Sequence, residues 1–315
     1  MQIIKSVDGL IGNTPMVRLN CGDAADRATI FAKVESYNPG GSIKDRICLS
    51  MIEAAEQSGN LKPGDTIVEP TAGNTGIGLS IVAIAKGYHM VLSMPENVSQ
   101  EKYSLLSAFG AEIVLTSGDS GMAGAIWEAE EIVRRKPRHF MPNQFSNPAN
   151  PLAHEQTTGQ EILKALQESG CQKLDYFVTG VGTGGTLTGV GRVLKRHFPA
   201  VKIVAVEPSI SPVISGGQPA PTRIDGIGAG MIPEVLDVDL IDEVMTVSDE
   251  DAYQVMRYIA QVEGYLVGIS SGANLHATLK LAEEVGADKT VVTILCDTGE
   301  RYLSLVQHFE PDSID

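Results

Sequence analysis

Lys44 follows Asn38-Pro39-Gly40-Gly41-Ser42-Ile43, a stretch whose proline and paired glycines make a turn rather than a helix interior. The residues from Lys44 to Ile52 read as a helix with Ser42 as its N-cap. That puts the lysine at the positive end of the helix dipole, the wrong end for a cation. A lysine held there has a reason to shed its proton, and a neutral amine is a nucleophile. Taken alone, the stretch is also explained by a solvated lysine that happens to follow a turn.

Three glycine-containing loops supply further chemistry. Gly180, Gly182 and Gly185 have the spacing G-x-G-x-x-G, after the strand Tyr176-Phe177-Val178 and before a helix. Glu207 ends the next strand, close to where a dinucleotide fold places its ribose-binding acid. A nicotinamide-dependent oxidoreductase is therefore one reading, and a tight turn of small residues is another. In either ligand reading, successive N–H groups at a helix N-terminus hold a phosphate, and Thr183 and Thr186 add hydroxyls. The loop Thr71-Ala72-Gly73-Asn74-Thr75-Gly76 has the same placement without the glycine spacing a pyrophosphate needs. Its hydroxyls, N–H groups and single amide suit a carboxylate. In the third loop, Gly268 to Gly272, one of Ser270 and Ser271 is expected to cap a helix. One ligand uses all four features. Its phosphate rests on Gly182 to Thr186, its aldehyde joins Lys44, a serine meets its ring nitrogen, and a substrate carboxylate lies on Thr71 to Thr75. That ligand is pyridoxal phosphate bound for amino-acid chemistry. A dinucleotide leaves Lys44 and the first loop unexplained.

The elements that must position these groups alternate. Strands are expected at 14–19, 28–34, 66–69, 89–93, 112–115, 176–178, 203–206 and 291–295. Helices are expected from 44, from about 77, and over about 99–109, 123–135 and 152–168, with others after 186 and after Ser248-Asp249-Glu250-Asp251, which resembles a capping box. Such alternation predicts an α/β protein of two domains, each a mostly parallel twisted sheet with helices on both faces. The polar run Pro142 to Pro151 reads as the crossing, giving domains of 1–145 and 146–315. Ser211 to Gly230, rich in glycine and proline, reads as a long functional loop. The tail from Phe309 to Asp315 is acidic and expected to fray.

The chain has 315 residues, 43% of them hydrophobic and 20% charged, which is ordinary for a protein with a large core. A net charge of -15 argues against nucleic acid. The amino-terminal residues lack a signal peptide's apolar run, and Ile77 to Ala85 is too short to span a bilayer. Four cysteines without metal or redox spacing read as reduced thiols of a cytoplasmic protein, and no metal cluster is expected.

The sequence resembles the cysteine synthases (O-acetylserine sulfhydrylases), in the tryptophan-synthase-β-like, fold type II class of pyridoxal phosphate enzymes. The matching stretches are Ile11 to Pro15, Asn38 to Arg46, Glu69 to Gly78, Gln144 to Pro151, Gly180 to Gly189, Gly226 to Gly230, Gly268 to Gly272 and Glu300 to Ser304. The resemblance implies that Lys44 forms a Schiff base with the cofactor and acts as the catalytic base. Asn74 bonds the phenolic oxygen, Gly182, Thr183, Gly184, Gly185 and Thr186 bind the phosphate, and Ser270 faces the ring nitrogen, leaving Ser271 as the cap. The substrate falls to Thr71, Ala72, Gly73, Asn74, Thr75 and Gln144, with Gly228 in the loop lining the site. The implied reaction is β-replacement through an aminoacrylate: O-acetyl-L-serine and sulfide give L-cysteine and acetate. The resemblance also implies that the first ~40 residues pack on the second domain and that roughly 46–145 moves as the substrate binds. It further implies a homodimer, and a serine acetyltransferase C-terminal tail as a possible partner. Cysteine synthases usually carry serine where this chain has Ala72, while some bacterial enzymes resembling cystathionine β-synthase carry alanine. Homocysteine as acceptor is therefore an alternative to sulfide. A dehydratase and a non-catalytic binding protein stand further off.

Overall fold

The structure, a computed structural model, describes residues 3–21 and 27–310. The expected acidic tail beyond Glu310 lies outside the described residues. The first elements are β1 (Met16–Leu19), β2 (Thr29–Val34), α1 (Lys44–Ser58), β3 (Thr66–Pro70), α2 (Asn74–Lys86), β4 (His89–Pro95), α3 (Gln100–Ala108), β5 (Glu112–Thr116), α4 (Gly121–Arg135) and β6 (His139–Phe140). Then follow α5 (Ala149–Ala153), α6 (Gly159–Glu168), β7 (Tyr176–Gly180), α7 (Gly185–His197), β8 (Lys202–Pro208), β9 (Glu243–Val247), α8 (Asp249–Val262), α9 (Ile269–Val285), β10 (Thr290–Leu295) and α10 (Val306–Phe309).

The chain divides into two compact units. The first holds the residues up to Ile11 and Asn38–Asn150; the second holds Gly12–Tyr37 and the chain from Pro151 onward. These limits follow the strand pairing. β2 lies parallel to β10, with Thr29 beside Thr290 and Val34 beside Leu295, so β1 and β2 belong to the second sheet. Val7–Leu10 instead packs on α2 of the first unit.

The first unit's sheet runs β5-β4-β3-β6, all parallel, as the alternation requires. β3 carries β-branched Thr66, Ile67 and Val68, and α4 lays Ala129 against Val68. α1 and α2 each end on a left-handed glycine, Gly59 and Gly87, with φ of 75° and 76°. The second unit's sheet runs β1-β2-β10-β7-β8-β9, with only the edge pair β1–β2 antiparallel. Its core gathers Ile30, Val178, Val204, Val206, Ile259 and Val291. Two short edge strands went unread in the sequence: β6 is two residues long, and β9 opens on an exposed glutamate. Between Ala153 and Gly159 a single π-helical turn, His154–Thr158, interrupts the expected helix. α8 begins as read, with Ser248 Oγ accepting the Asp251 N–H at 3.0 Å.

A buried ionic cluster ties the second unit's first residues to its helices. Lys33 is 1% exposed; its ammonium donates to the Thr14 carbonyl and pairs with Glu161 at 2.7 Å. Glu161 also accepts the Asn13 N–H at 3.0 Å, and Thr14 Oγ1 donates to Glu35 at 2.7 Å. Removing one member of such a pair leaves the other's charge desolvated. Lys33→Met is expected to lower the folding free energy by about 3 kcal/mol. Urea denaturation followed by circular dichroism checks this.

Candidate active site

In the first unit the turn before α1 is held by the helix it introduces. Asp45, fully buried, accepts the Gly40 N–H at 2.5 Å, and a Cβ on Gly40 would lie 2.4 Å from the same carboxylate. Gly40 is therefore fixed by close approach. Lys44 opens α1 and is half-buried. Ile43, not Ser42, occupies the N-cap position, yet Ser42 Oγ still accepts the Lys44 N–H at 3.2 Å. The serine satisfies one end-of-helix donor from one residue further back.

One turn along α1, the buried Cys48 donates its thiol to the Thr75 carbonyl at 3.4 Å, which joins the lysine helix to the loop Thr71–Gly76. Burial pushes the Cys48 thiol well above its ordinary range; the charges of Asp45 and Glu69 add to the push and Lys44 opposes it. α2 begins at Asn74, three residues earlier than expected, with Gly73 in the cap position. The Asn-Thr-Gly stretch reads as loop, but a helix's first turn needs no residue-specific partner for its N–H groups. The consequence is chemical: the loop's N–H groups form a helix N-terminus, which favours an anion. Thr71 Oγ1 accepts the Gly73 N–H at 3.2 Å, and Thr75 Oγ1 donates to Gln144 Oε1 at 2.7 Å. Lys44, Thr71–Thr75 and Gln144 are thus joined within one unit, with Ala72, Gly73 and Asn74 half-buried on the loop.

In the second unit, β7 ends at Gly180 and α7 starts at Gly185, with Gly184 left-handed at φ 84°. A Cβ on Gly182 would stand 2.1 Å from the Gly226 carbonyl oxygen, so the loop accepts no side chain there. Thr183 Oγ1 accepts the Gly185 N–H at 3.4 Å, and Thr186 Oγ1 lies 3.3 Å from His154 Nε2. His154, missed in the sequence, sits in the π-helical turn and meets Thr158 Oγ1 at 2.9 Å. The result is a backbone cradle at the start of a 13-residue helix, with hydroxyls beside it: the donor set of a phosphate monoester site. Ser270, 4% exposed, lies near Gly226, whose Cβ would be 3.6 Å from Ser270 Oγ. Gly228 N–H donates to the Val181 carbonyl at 3.0 Å, which holds the Gly226–Gly230 loop against the loop Val181–Gly184. Pro219 to Thr222 and Ile224 to Gly230 line an open cavity of about 450 Å³.

Two expectations are corrected. Ser271 does not cap α9: the helix already starts at Ile269, Gly268 takes the cap position, and Ser271 Oγ accepts the Cys296 N–H at 2.8 Å. Glu207 is not presented to a ribose. One oxygen accepts the Ile214 N–H at 2.8 Å; the other takes the Ser215 N–H at 3.0 Å and its hydroxyl at 2.5 Å. The acid secures its own loop, and the dinucleotide reading loses its second support. Among the described residues no group of His, Cys, Asp and Glu could hold a metal ion, and no helix is long and apolar enough to cross a membrane.

The chain resembles known proteins along its length. It is 51% identical to a cysteine synthase of Staphylococcus aureus (strain N315) over 301 residues, 96% of either chain. Among solved structures, O-ureido-L-serine synthase superposes with a TM-score of 0.93 at 41% identity, covering 100% of this chain and 97% of that one. Cysteine synthase from Entamoeba histolytica gives 0.90 at 38% identity, over 97% and 90%. The profile of one family, described as pyridoxal-phosphate dependent enzyme, matches residues 7–297. Matched by that family over residues 7–297 and by a relative of 51% identity along nearly its whole length, the chain belongs to the pyridoxal-phosphate dependent enzymes.

Proposed function

We propose that the protein is a cysteine synthase, converting O-acetyl-L-serine and sulfide to L-cysteine and acetate. The observation that carries this reading is the identity of 51% to a cysteine synthase across nearly the whole of both chains. Incubating the purified protein with O-acetyl-L-serine and sulfide, and measuring L-cysteine and acetate in equal amounts, tests it.

The residues fit the cofactor: the Gly182 loop is closed to side chains and rich in donors for its phosphate. When bound, pyridoxal phosphate supplies an electron-withdrawing ring that stabilises negative charge at the substrate Cα. In this assignment Lys44 holds the cofactor aldehyde between turnovers, and its Nζ takes the Cα proton and later returns it. Asn74 faces the phenolic oxygen, Gly182, Thr183, Gly184, Gly185 and Thr186 take the phosphate, and Ser270 takes the ring nitrogen. Thr71, Gly73, Asn74, Thr75 and Gln144 receive the substrate carboxylate, Ala72 lies among them at the substrate, and Gly228 belongs to the loop lining the site. Acetate leaves Cβ with the electron pair of the C–O bond, and hydrosulfide supplies the pair for the new C–S bond. Movement of roughly 46–145 on substrate binding would keep water from the reacting carbons.

A hydroxyl at the ring nitrogen cannot hold a pyridinium as a carboxylate would, which weakens the electron sink and favours elimination over transamination. Ser270→Asp is expected to cut β-replacement roughly tenfold or more while the yellow cofactor stays bound. Unchanged turnover would remove this role from Ser270. Ala72 favours one second reading, homocysteine as acceptor giving cystathionine. Pairing each acceptor with O-acetylserine and with serine, and identifying products by mass spectrometry, separates the two. The same reading carries a homodimer in the cytoplasm, checked by light scattering. A serine acetyltransferase C-terminal tail is its candidate peptide partner, checked by calorimetry.

A further inference from the structure

Glu69 is a glutamate inside an apolar parallel strand, 1% exposed, and no step assigned above uses it. Its two oxygens are both engaged. Oε2 accepts the Asn143 N–H at 3.0 Å and Oε1 accepts the Gln144 N–H at 3.2 Å. Asn143 is left-handed, at φ 54°, a region that asparagine tolerates better than other side chains yet adopts only in a minority of cases. The same turn is fastened by Asn150 Nδ2 on the Gln144 carbonyl at 2.7 Å and by Asn147 Nδ2 on the Pro142 carbonyl at 2.8 Å. From it the Gln144 side chain reaches Thr75 Oγ1. We propose that Glu69 is a positioning residue for the substrate carboxylate: its bidentate grip on the backbone of Asn143 and Gln144 fixes the turn that presents Gln144 beside Thr75. The proposal rests on the reading that Thr71–Thr75 and Gln144 receive that carboxylate.

Burial lifts the Glu69 carboxyl to about 7, and the two N–H donors pull it back only in part. Few charges face it. On α1 the Cys48 thiol lies near enough to feel it, with Asp45 and Lys44 acting on the same thiol. β4 sets Leu92 beside it. β6 places His139 beside Thr66, three residues down β3, or about 10 Å away. α4 packs Ala129 on the adjacent Val68, and its Glu131 is paired with Arg134 and Arg135. Above neutrality the ionised carboxylate grips both N–H groups. Below it the bound proton occupies one of the oxygens and weakens that grip, so carboxylate binding falls toward acid pH.

Glu69→Gln in the holoenzyme tests this, because the amide turns an N–H donor toward one of the two backbone donors. Two probes are compared by calorimetry from about pH 5.5 to 8.5. L-alanine has the substrate's amine and carboxylate without a β leaving group; ethylamine has the amine alone. The variant is expected to bind L-alanine roughly tenfold more weakly and ethylamine unchanged, and to raise KM for O-acetyl-L-serine more than it lowers kcat. The acid-side loss of L-alanine affinity, absent for ethylamine, should be present in the wild type and missing from the variant. Equal weakening of both probes, or of neither, overturns the proposal. If the variant does not fold, the wild-type pH dependence of the two probes decides alone: parallel curves overturn it. Gln144→Ala and Thr75→Val separate this inference from the reading beneath it. If they leave L-alanine binding intact, the carboxylate assignment fails; if they weaken it and Glu69→Gln does not, only the role of Glu69 fails.

Discussion

Lys44→Ala is expected to eliminate measurable β-replacement, a loss of at least about a thousandfold, while the protein stays folded. The fold survives because Lys44 is half-buried at the first position of α1, and alanine is the better helix former. The N–H that Ser42 accepts belongs to the backbone and is kept, as are the Asp45–Gly40 and Cys48–Thr75 contacts that fix the helix start. On the proposed assignment, what disappears is the amine that carries the Cα proton and the covalent hold on the cofactor. Borohydride reduction followed by denaturation should release all pyridoxal from the variant and none from the wild type, and peptide mapping should place the wild-type adduct on Lys44. An adduct on another lysine of the variant, with turnover retained, would reassign the catalytic amine.

Gly182→Ala is expected to produce a folded protein that loses its cofactor. The added methyl would meet the Gly226 backbone oxygen at 2.1 Å, and no side-chain rotation relieves a clash with backbone. Either the Val181–Gly184 loop, to which the proposal assigns the phosphate, or the Gly226–Gly230 loop must shift, and the bond from Gly228 N–H to Val181 resists that shift. A cost of about 3 kcal/mol, the upper range for overpacking, corresponds to roughly a hundredfold in cofactor affinity if it falls on the bound geometry. Cofactor retained after gel filtration measures it, and urea unfolding of the cofactor-free protein separates a binding loss from a folding loss. Gly191→Ala, on the helix that follows the loop, is the control. Its Cβ would find Leu240 at 3.5 Å, ordinary contact, so the substitution should be neutral or stabilising by about 0.5–1 kcal/mol.

The parallel sheets were legible because buried strands such as Thr66–Pro70 and Thr290–Leu295 are β-branched runs bounded by turn residues. Two edge strands were not: β6 is only two residues long, and β9, though it holds Val244, Thr246 and Val247, is only partly buried and opens on a glutamate. On the site, a lysine after a glycine turn and a glycine-rich strand-to-helix loop are local signals, and Lys44 opens α1 while Gly185 opens α7. The supporting contacts are not local. Glu69 meets Gln144 across 75 residues and Asn274 meets the Gly180 N–H across 94, so nothing in either segment announces its partner. A weak trace existed for Glu69, a charge in the middle of Ile67-Val68-Glu69-Pro70, where a buried strand otherwise excludes one. Glu207 carries the same trace, and the loop it binds shows that a buried strand acid here secures chain rather than ligand.

Cys48 stands one helical turn from Lys44, the nearest sulfur along the chain to an amine assigned to chemistry in which sulfur is the attacking atom. Enclosed among apolar neighbours and hemmed by acidic groups, it keeps its hydrogen at neutral pH and spends it on the Thr75 carbonyl. A protonated thiol neither attacks an electrophilic carbon nor exchanges with disulfides at an appreciable rate. On the proposed function, a catalyst that manufactures thiols keeps the thiol nearest in sequence to its reactive amine in the unreactive, protonated form.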